Sequence, residues 1–215
     1  EETGQAFITV DEAGQNTILV YGGANMTLSA TDVEMSADAF IGADFVVAQL
    51  EVPFEAIEQA FKIARKQNIT TVLNPAPAIE LPKSLLELTD IIIPNETEAE
   101  LLTGISINNE SDMKETATYF LDLGISAVLI TLGEQGTYCA YQEQYKMIPA
   151  CNVKAIDTTA AGDTFIGAFL SELNKDLSNL ESAIRLANQA SSLTVQRKGA
   201  QASIPTRKEV EAEYN

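Results

Sequence analysis

The chain has 215 residues, of which 46% are hydrophobic and 20% charged, a balance typical of a soluble globular domain and too apolar for a disordered chain. Its net charge of −18, from 31 acidic and 13 basic side chains, argues against nucleic acids and anionic membrane surfaces as partners. The chain contains no histidine, which excludes Ser-His-Asp and Cys-His catalysis and histidine-bound zinc.

The location of the protein is predicted from what its sequence lacks. No apolar run reaches the roughly 18 residues needed to span a bilayer, and the first residues do not resemble a signal peptide. We therefore expect a cytoplasmic protein.

Cys139 and Cys151 have no metal-ligand spacing, so we expect reduced thiols. The chain begins without Met, close to its first strand, and we expect that an upstream part was removed or never included.

The first half of the chain combines a hairpin with alternating helices and strands. Two short β-rich runs, 6–10 and 17–21, are separated by a polar turn. A helix is predicted over 32–42, and apolar residues recur at helical spacing from 57 to 64. Residues 44–51 and 70–74 contain apolar runs without strict alternation, which is typical of buried strands in a parallel sheet.

The second half continues this alternation and ends in helices. Strands are predicted over 90–94 and 127–131, and two aromatic-rich strands, 137–141 and 145–148, read as an antiparallel addition. The predicted helices are 83–88, 95–103, 110–123, 161–174, 178–196 and 206–214. The pattern indicates an α/β fold, with a mostly parallel central sheet layered between helices. In such sheets, ligands bind beyond the carboxyl ends of the strands.

The stretch from Asp157 to Gly167 is the most informative motif. Small residues lead into a nearly uncharged helix, and Asp163 lies in its first turn. The unpaired N–H groups and positive dipole of a helix N-terminus favour a phosphate or a developing negative charge there. An acid in the first turn is also expected for helix capping alone, so both interpretations stay open.

Three further segments have both structural and functional interpretations. Asn95 and Glu98 have capping-box spacing, yet at a strand's carboxyl end they could also hold water around Mg²⁺. The run 131–136 matches no phosphate-loop pattern, and a hairpin turn explains it. Arg197 and Lys198 are candidate cations for a phosphate, although with Gly199 they also suit a helix end.

The order and spacing of these motifs carry a resemblance that none of them has alone. Together, Asn95-Glu-Thr-Glu98, Thr131-Leu-Gly-x-x-Gly136, Asp157-Thr-Thr-Ala-Ala-Gly-Asp163 and Lys198-Gly-Ala-Gln201 resemble the ribokinase family of carbohydrate kinases, over practically the whole chain. Within that family, Asn74-Pro-Ala-Pro-Ala78, the alanine before Gly162 and Lys-Gly-Ala-Gln are more similar to the ribose-specific members than to fructokinases or adenosine kinases.

The resemblance implies an ATP-dependent kinase acting on the primary hydroxyl of a pentose, most simply D-ribose. Asp163 would be the general base, and Ala160, Ala161 and Gly162 would donate N–H groups to the transferring phosphoryl. Glu51 and Asp163 would contact the sugar. The residues expected to contact the nucleotide are Asn95, Thr131, Leu132, Gly133, Glu134, Gln135, Gly136, Gly162 and Asn188.

Two cations are also implied by the resemblance. Glu98 would help to organise Mg²⁺. A monovalent cation, usually K⁺, would lie beside the anion hole, with several ligands supplied by backbone carbonyls. The matching positions are Asp157, Thr159, Thr194, Arg197, Gly199 and Ser203.

The sequence departs from the family at its N-terminal side. Family members carry there a substantial N-terminal portion that supplies most sugar contacts, including a Gly-Gly-x-Gly-x-Asn segment, and this chain has no such segment. We expect residues 1–24 to be a remnant lid hairpin, residues 25–215 a nucleotide-binding kinase domain, and the chain alone to be inactive. An exposed sheet edge would favour a homodimer. A non-catalytic nucleotide-binding or assembly protein, or a kinase for fructose, deoxyribose or a nucleoside, stays an alternative.

Overall fold

A computed structural model of the protein describes residues 1–10 and 16–214. The chain divides into two compact units, Glu1–Asp90 and Ile91–Asn215. The predicted division at residues 24 and 25 stays a prediction.

The first unit opens with the predicted hairpin. Strands β1 (Gln5–Val10) and β2 (Asn16–Tyr21) pair antiparallel, with Gln5 opposite Tyr21. The predicted turn between them, residues 11–15, lies outside the described residues. Phe7 and Leu19 are 54% and 70% exposed, so apolar side chains of this ribbon face solvent.

The first unit contains a parallel strand pair. Strands β3 (Phe45–Ala48) and β4 (Thr70–Leu73) are parallel and are connected by helix α2 (Phe54–Lys66). Strand β4 is buried as predicted, but β3 is only half-buried and Val47 is 43% exposed, so the predicted burial of the strand over 44–51 is wrong. The apolar stripe predicted from 57 to 64 is the buried face of α2, where Phe61 is fully buried. Helix α3 (Lys83–Glu87) follows β4, as predicted.

The helix predicted over 32–42 is wrong in its bounds. Helix α1 (Ala30–Met35) begins earlier, because the hydroxyl of Ser29 accepts the N–H of Asp32 in a capping box. It ends at Met35, and a separate 3₁₀ turn (Ala37–Phe40) follows. Neither element buries a side chain, so packing does not stabilise one continuous helix.

The second unit contains both parallel and antiparallel strand pairs. Strands β5 (Ile91–Ile92) and β6 (Ala127–Thr131) are parallel and are connected by helices α4 (Glu96–Thr103) and α5 (Glu110–Asp122). Strands β7 (Gly136–Tyr141) and β8 (Gln144–Pro149) add to β6 antiparallel, as the sequence predicted. The predicted α/β class, with a mostly parallel sheet flanked by helices, is confirmed.

Three helices complete the second unit. They are α6 (Ala161–Glu172), α7 (Leu180–Thr194) and α8 (Arg207–Tyr214). Phe165 and Phe169 stack on the buried face of α6, and Val210 of α8 packs in a buried cluster with residues of α7. Among the described residues, no helix has the length and apolar character needed to cross a membrane.

Candidate active site

Asn95 and Thr131 meet at the carboxyl ends of β5 and β6. They form an isolated parallel bridge, and the Thr131 N–H donates to the carbonyl of Pro94 at 2.9 Å. Two of the residues predicted to contact the nucleotide are therefore neighbours at the sheet edge where ligands bind in folds of this class.

Asn95 and Glu98 cap helix α4. The Asn95 Oδ1 accepts the Glu98 N–H at 2.8 Å, and the Glu98 Oε2 accepts the Asn95 N–H at 2.8 Å. The Asn95 Nδ2 donates to the Glu98 Oε1 at 2.9 Å. Burial raises the pKa of the Glu98 carboxyl, against the opposing effect of the Asn95 N–H. The capping interpretation is confirmed, and the Mg²⁺ role stays a prediction.

Residues 131–136 form the tight connection between β6 and β7. A 3₁₀ turn (Gly133–Gln135) is closed by the Leu132 N–H, which donates to the Gly136 carbonyl at 2.8 Å. Gly136 has φ +113°, and a Cβ there would lie 2.2 Å from the carbonyl oxygen of Ile148, so only glycine fits. The predicted hairpin turn is confirmed, with Gly133, Glu134 and Gln135 exposed on it.

Helix α6 begins at a residue that cannot cap it with a side chain. Ala160 occupies the N-cap position in the left-handed conformation, with φ 63° and ψ 13°. Of the three predicted anion-hole donors, the Ala161 N–H is engaged in the turn and donates to the Thr158 carbonyl at 3.2 Å. Gly162 and Asp163 are exposed in the first turn, where the helix dipole favours negative charge.

Asp163 lines a cavity of about 390 Å³ in the second unit. Small residues of α6, Gly167 and Ala168, contribute to its wall, together with residues of α7 and α8. The Asp163 side chain is exposed beside this cavity, and a residue that takes a proton from a substrate must be accessible in this way.

Asp157 connects the loop before α6 to the segment after α7. Its Oδ1 accepts the N–H of Thr159 and its Oδ2 the N–H of Gly199, both at 3.0 Å. These bonds, with that from Gly199 first, lower the pKa of Asp157 to about 2. The structure thus brings together three of the predicted cation ligands, the ionised carboxylate of Asp157 and the backbones of Thr159 and Gly199.

The other predicted cation ligands point their side chains elsewhere. The buried Thr194 hydroxyl lies 3.0 Å from that of Thr164 on α6, and the buried Ser203 hydroxyl donates to the Ala200 carbonyl at 2.6 Å. The Arg197 guanidinium pairs with Glu209 at 2.8 Å. Any cation contact from these residues would therefore use backbone carbonyls, as the resemblance implied. The described residues contain no cluster of three or more Asp, Glu, Cys or His side chains suited to a metal ion.

Asn188, predicted to lie near the adenine, is buried and occupied by structural hydrogen bonds. Its Nδ2 lies 3.1 Å from the Ile148 carbonyl and 3.2 Å from the Pro149 carbonyl, and its Oδ1 accepts from the Thr137 hydroxyl at 2.9 Å. These bonds tie α7 to β7 and β8. A nucleotide contact through this side chain stays a prediction that the geometry does not favour.

Glu51, the predicted sugar contact, is exposed in the first unit shortly after β3. Beside it, the Gln49 Nε2 donates to the Asn74 Oδ1 at 3.0 Å, and the Asn74 N–H donates to the Ala48 carbonyl at 3.0 Å. Sequence reasoning missed Gln49 as a polar residue at this edge. Its position at the end of an apolar run, in a predicted strand, was the available signal.

Comparison with known proteins assigns the family. Residues 1–207 match the sequence profile described as "pfkB family carbohydrate kinase". The chain belongs to the pfkB family of carbohydrate kinases. The resemblance inferred from the four motifs is thereby confirmed, and with it the enzyme class.

The relatives of this family member include several ribokinases. The ribokinase of Staphylococcus aureus (strain COL) is 65% identical over 97% of this chain and 69% of its own length. A bifunctional ribokinase/ribose-5-phosphate isomerase A of Fructilactobacillus sanfranciscensis is 53% identical over 98% of this chain, which spans only 39% of that protein. The structure of Arabidopsis thaliana ribokinase complexed with ribose and ATP matches with a TM-score of 0.86 and 33% identity, over 98% of this chain and 68% of that one.

Proposed function

We propose that this chain carries the general base and the nucleotide side of a kinase that transfers the γ-phosphate of ATP to the primary hydroxyl of D-ribose, giving ribose 5-phosphate. The observation that carries the proposal is the exposed Asp163 in the first turn of α6, in a chain 65% identical to a ribokinase.

Asp163 acts as the general base. One oxygen of its carboxylate accepts the hydroxyl proton as the sugar oxygen bonds to the γ-phosphorus of ATP, and the bond from that phosphorus to the bridging oxygen breaks, so that ADP leaves. The N–H groups of Ala160 and Gly162 then donate to the negative charge on the transferring phosphoryl, which the dipole of α6 also stabilises. The Ala161 N–H contributes only if its bond to Thr158 opens. The chain's role is mainly positioning and electrostatics, the usual requirement of phosphoryl transfer.

The nucleotide binds along the carboxyl ends of β5 and β6. Asn95 is exposed there beside Thr131, and the exposed turn from Gly133 to Gln135 offers backbone groups. Asn188 holds the end of β8 through its bonds to Ile148 and Pro149, and Pro149 pairs with Gly136 at the end of this turn.

Two cations would be held by residues of the second unit. Both oxygens of Glu98 already accept hydrogen bonds from Asn95, so Glu98 would hold Mg²⁺ through water, which this ion retains readily. Asp157, with carbonyls of the 194–203 segment, would hold K⁺. Bound Mg²⁺ supplies positive charge to the phosphates, and K⁺ supplies positive charge beside the anion hole.

The experiment is a coupled ADP-release assay on the protein expressed from its whole reading frame. We expect Asp163→Asn to lower turnover by about 10²- to 10⁴-fold while Mg-ATP affinity is retained. The matched control is Asp122→Asn, which removes an exposed acid from α5. Full turnover in Asp163→Asn would refute the assignment. The 215-residue chain on its own should bind Mg-ATP without ribose-dependent ADP release.

Deoxyribose is the second candidate sugar. A deoxyribokinase of Salmonella typhi is 35% identical over 95% of this chain. The same assay with 2-deoxyribose and fructose decides the choice, since we expect the highest kcat/KM with ribose. The cytoplasmic location and the homodimer stay predictions, the latter supported by the exposed apolar side chains of the β1–β2 ribbon.

A further inference from the structure

The carboxylate of Glu209 joins the start of α8 to the segment that follows α7. Its Oε2 accepts the N–H and the hydroxyl of Thr206, at 2.7 and 2.8 Å, in the pattern of a capping box. Its Oε1 accepts from the Arg197 Nη2 at 2.8 Å. Capping of α8 explains only the bonds to Oε2. The contact of Oε1 with Arg197 is therefore a separate interaction of the same carboxylate.

Arg197 is fixed at both its backbone and its side chain. Its N–H donates to the Thr194 carbonyl at the end of α7, at 3.0 Å, while its guanidinium is held by Glu209. Arg197 is therefore held to the end of α7 by its backbone and to α8 by its side chain. Two residues later, the Gly199 N–H donates to Asp157.

The contacts continue from Asp157 to the start of α6. Asp157 also accepts the N–H of Thr159, and the next residue, Ala160, turns the chain into α6. Asp163 lies three residues further on. A continuous series of bonds thus runs from α8, through the 197–199 segment and Asp157, to the first turn that presents the base.

We propose that Glu209 is a positioning residue of the active site. Through Arg197 it holds the 197–199 segment so that the Gly199 N–H stays on Asp157, which orients the loop leading to Asp163. This inference rests on the proposed function, because it takes Asp163 as the base.

The expected effect is local rather than global. The Arg197 and Glu209 side chains are 34% and 45% exposed, and exposed ion pairs contribute little to the overall stability of a protein. Loss of the pair should free one segment while the fold persists. Contact alone does not demonstrate coupling, so the test measures the far end of the series directly.

The first measurement is amide hydrogen exchange of Gly199 and Thr159 in the whole protein, followed by NMR. In Glu209→Gln we expect exchange to be about twofold to fivefold faster, the range typical of losing one exposed charged pair. Arg197→Gln should have the same effect, and the double variant should add nothing to it. The matched control is Glu211→Gln, which removes the same charge from α8 but pairs with Arg207 at 2.7 Å. Unchanged exchange in Glu209→Gln would overturn the proposal.

The second measurement is turnover. Glu209→Gln should lower kcat by about twofold to fivefold, leave the KM for ATP unchanged and raise the K⁺ concentration that gives half-maximal rate, whereas Glu211→Gln should change none of these. Faster exchange with unchanged kcat and K⁺ dependence would overturn the positioning role. Full activity of Asp163→Asn would instead refute the proposed function, and the exchange measurement would still decide whether Glu209 holds the segment.

Discussion

Replacement of Asn188 by alanine tests whether this residue serves the fold or the nucleotide. The variant loses the bonds to Ile148, Pro149 and Thr137. At about 1 kcal/mol for each bond, the free energy of unfolding should fall by about 3 kcal/mol. Urea unfolding at 25 °C measures this loss. Calorimetry with Mg-ATP should show an affinity within about threefold of wild type, a difference of under 1 kcal/mol. The affinity should be retained because the Asn188 side chain is already bonded to other groups of the protein.

A double variant refines this prediction. Thr137 is fully buried, so Asn188→Ala leaves its hydroxyl without its partner. In a Thr137→Val background that penalty is absent, and Asn188→Ala should cost about 1 kcal/mol less. The structural interpretation would be refuted if unfolding changed by less than about 0.5 kcal/mol while Mg-ATP affinity fell by tenfold or more.

The remaining predictions concern two ionisable groups of the second unit. Burial raises the pKa of the Cys139 thiol to about 12. Iodoacetamide at pH 8 should therefore not modify Cys139 until urea unfolds the protein, as measured by mass spectrometry, and the half-buried Cys151 serves as the internal comparison. Rapid labelling of Cys139 in the folded protein would contradict this prediction. The pKa of Asp157 is lowered from its ordinary value of 3.8 to about 2. Its carboxylate therefore stabilises the fold fully at pH values above 3.8, and this stabilisation is lost as the pH falls towards 2. The melting temperature of Asp157→Asn should therefore lie below wild type at pH 6 and converge with it between about pH 4 and 2; a constant difference would show that the lowered pKa does not contribute.

The sequence predicted the features that depend on nearby residues. Asn95 and Glu98 have capping-box spacing, and α4 starts where that spacing places it. The apolar runs of β4 and β6 and the apolar stripe of α2 likewise predicted which side chains are buried. Glu209 shows what local spacing leaves out, since its spacing from Thr206 indicates a cap and says nothing of Arg197, 12 residues earlier.

Features that depend on distant partners could not be predicted. Asn188 lies in a helix whose sequence gives no sign of carbonyls 39 and 40 residues away. The Asp157–Asp163 motif gives no sign of which of its residues takes the left-handed conformation. The structure puts that conformation at Ala160 and leaves Gly162 inside the helix, and the preceding loop is held by a bond from Gly199, 42 residues later in the chain.

The left-handed backbone of Ala160 at the start of α6 limits which residues can replace it. A non-glycine residue at φ 63° costs about 1 kcal/mol or more relative to glycine, so Ala160→Gly should be tolerated and β-branched substitutions should not. Glycine would also widen the range of backbone angles in front of the acid. Substitution here would therefore trade a gain in folding energy against the rigidity with which the carboxylate is aimed.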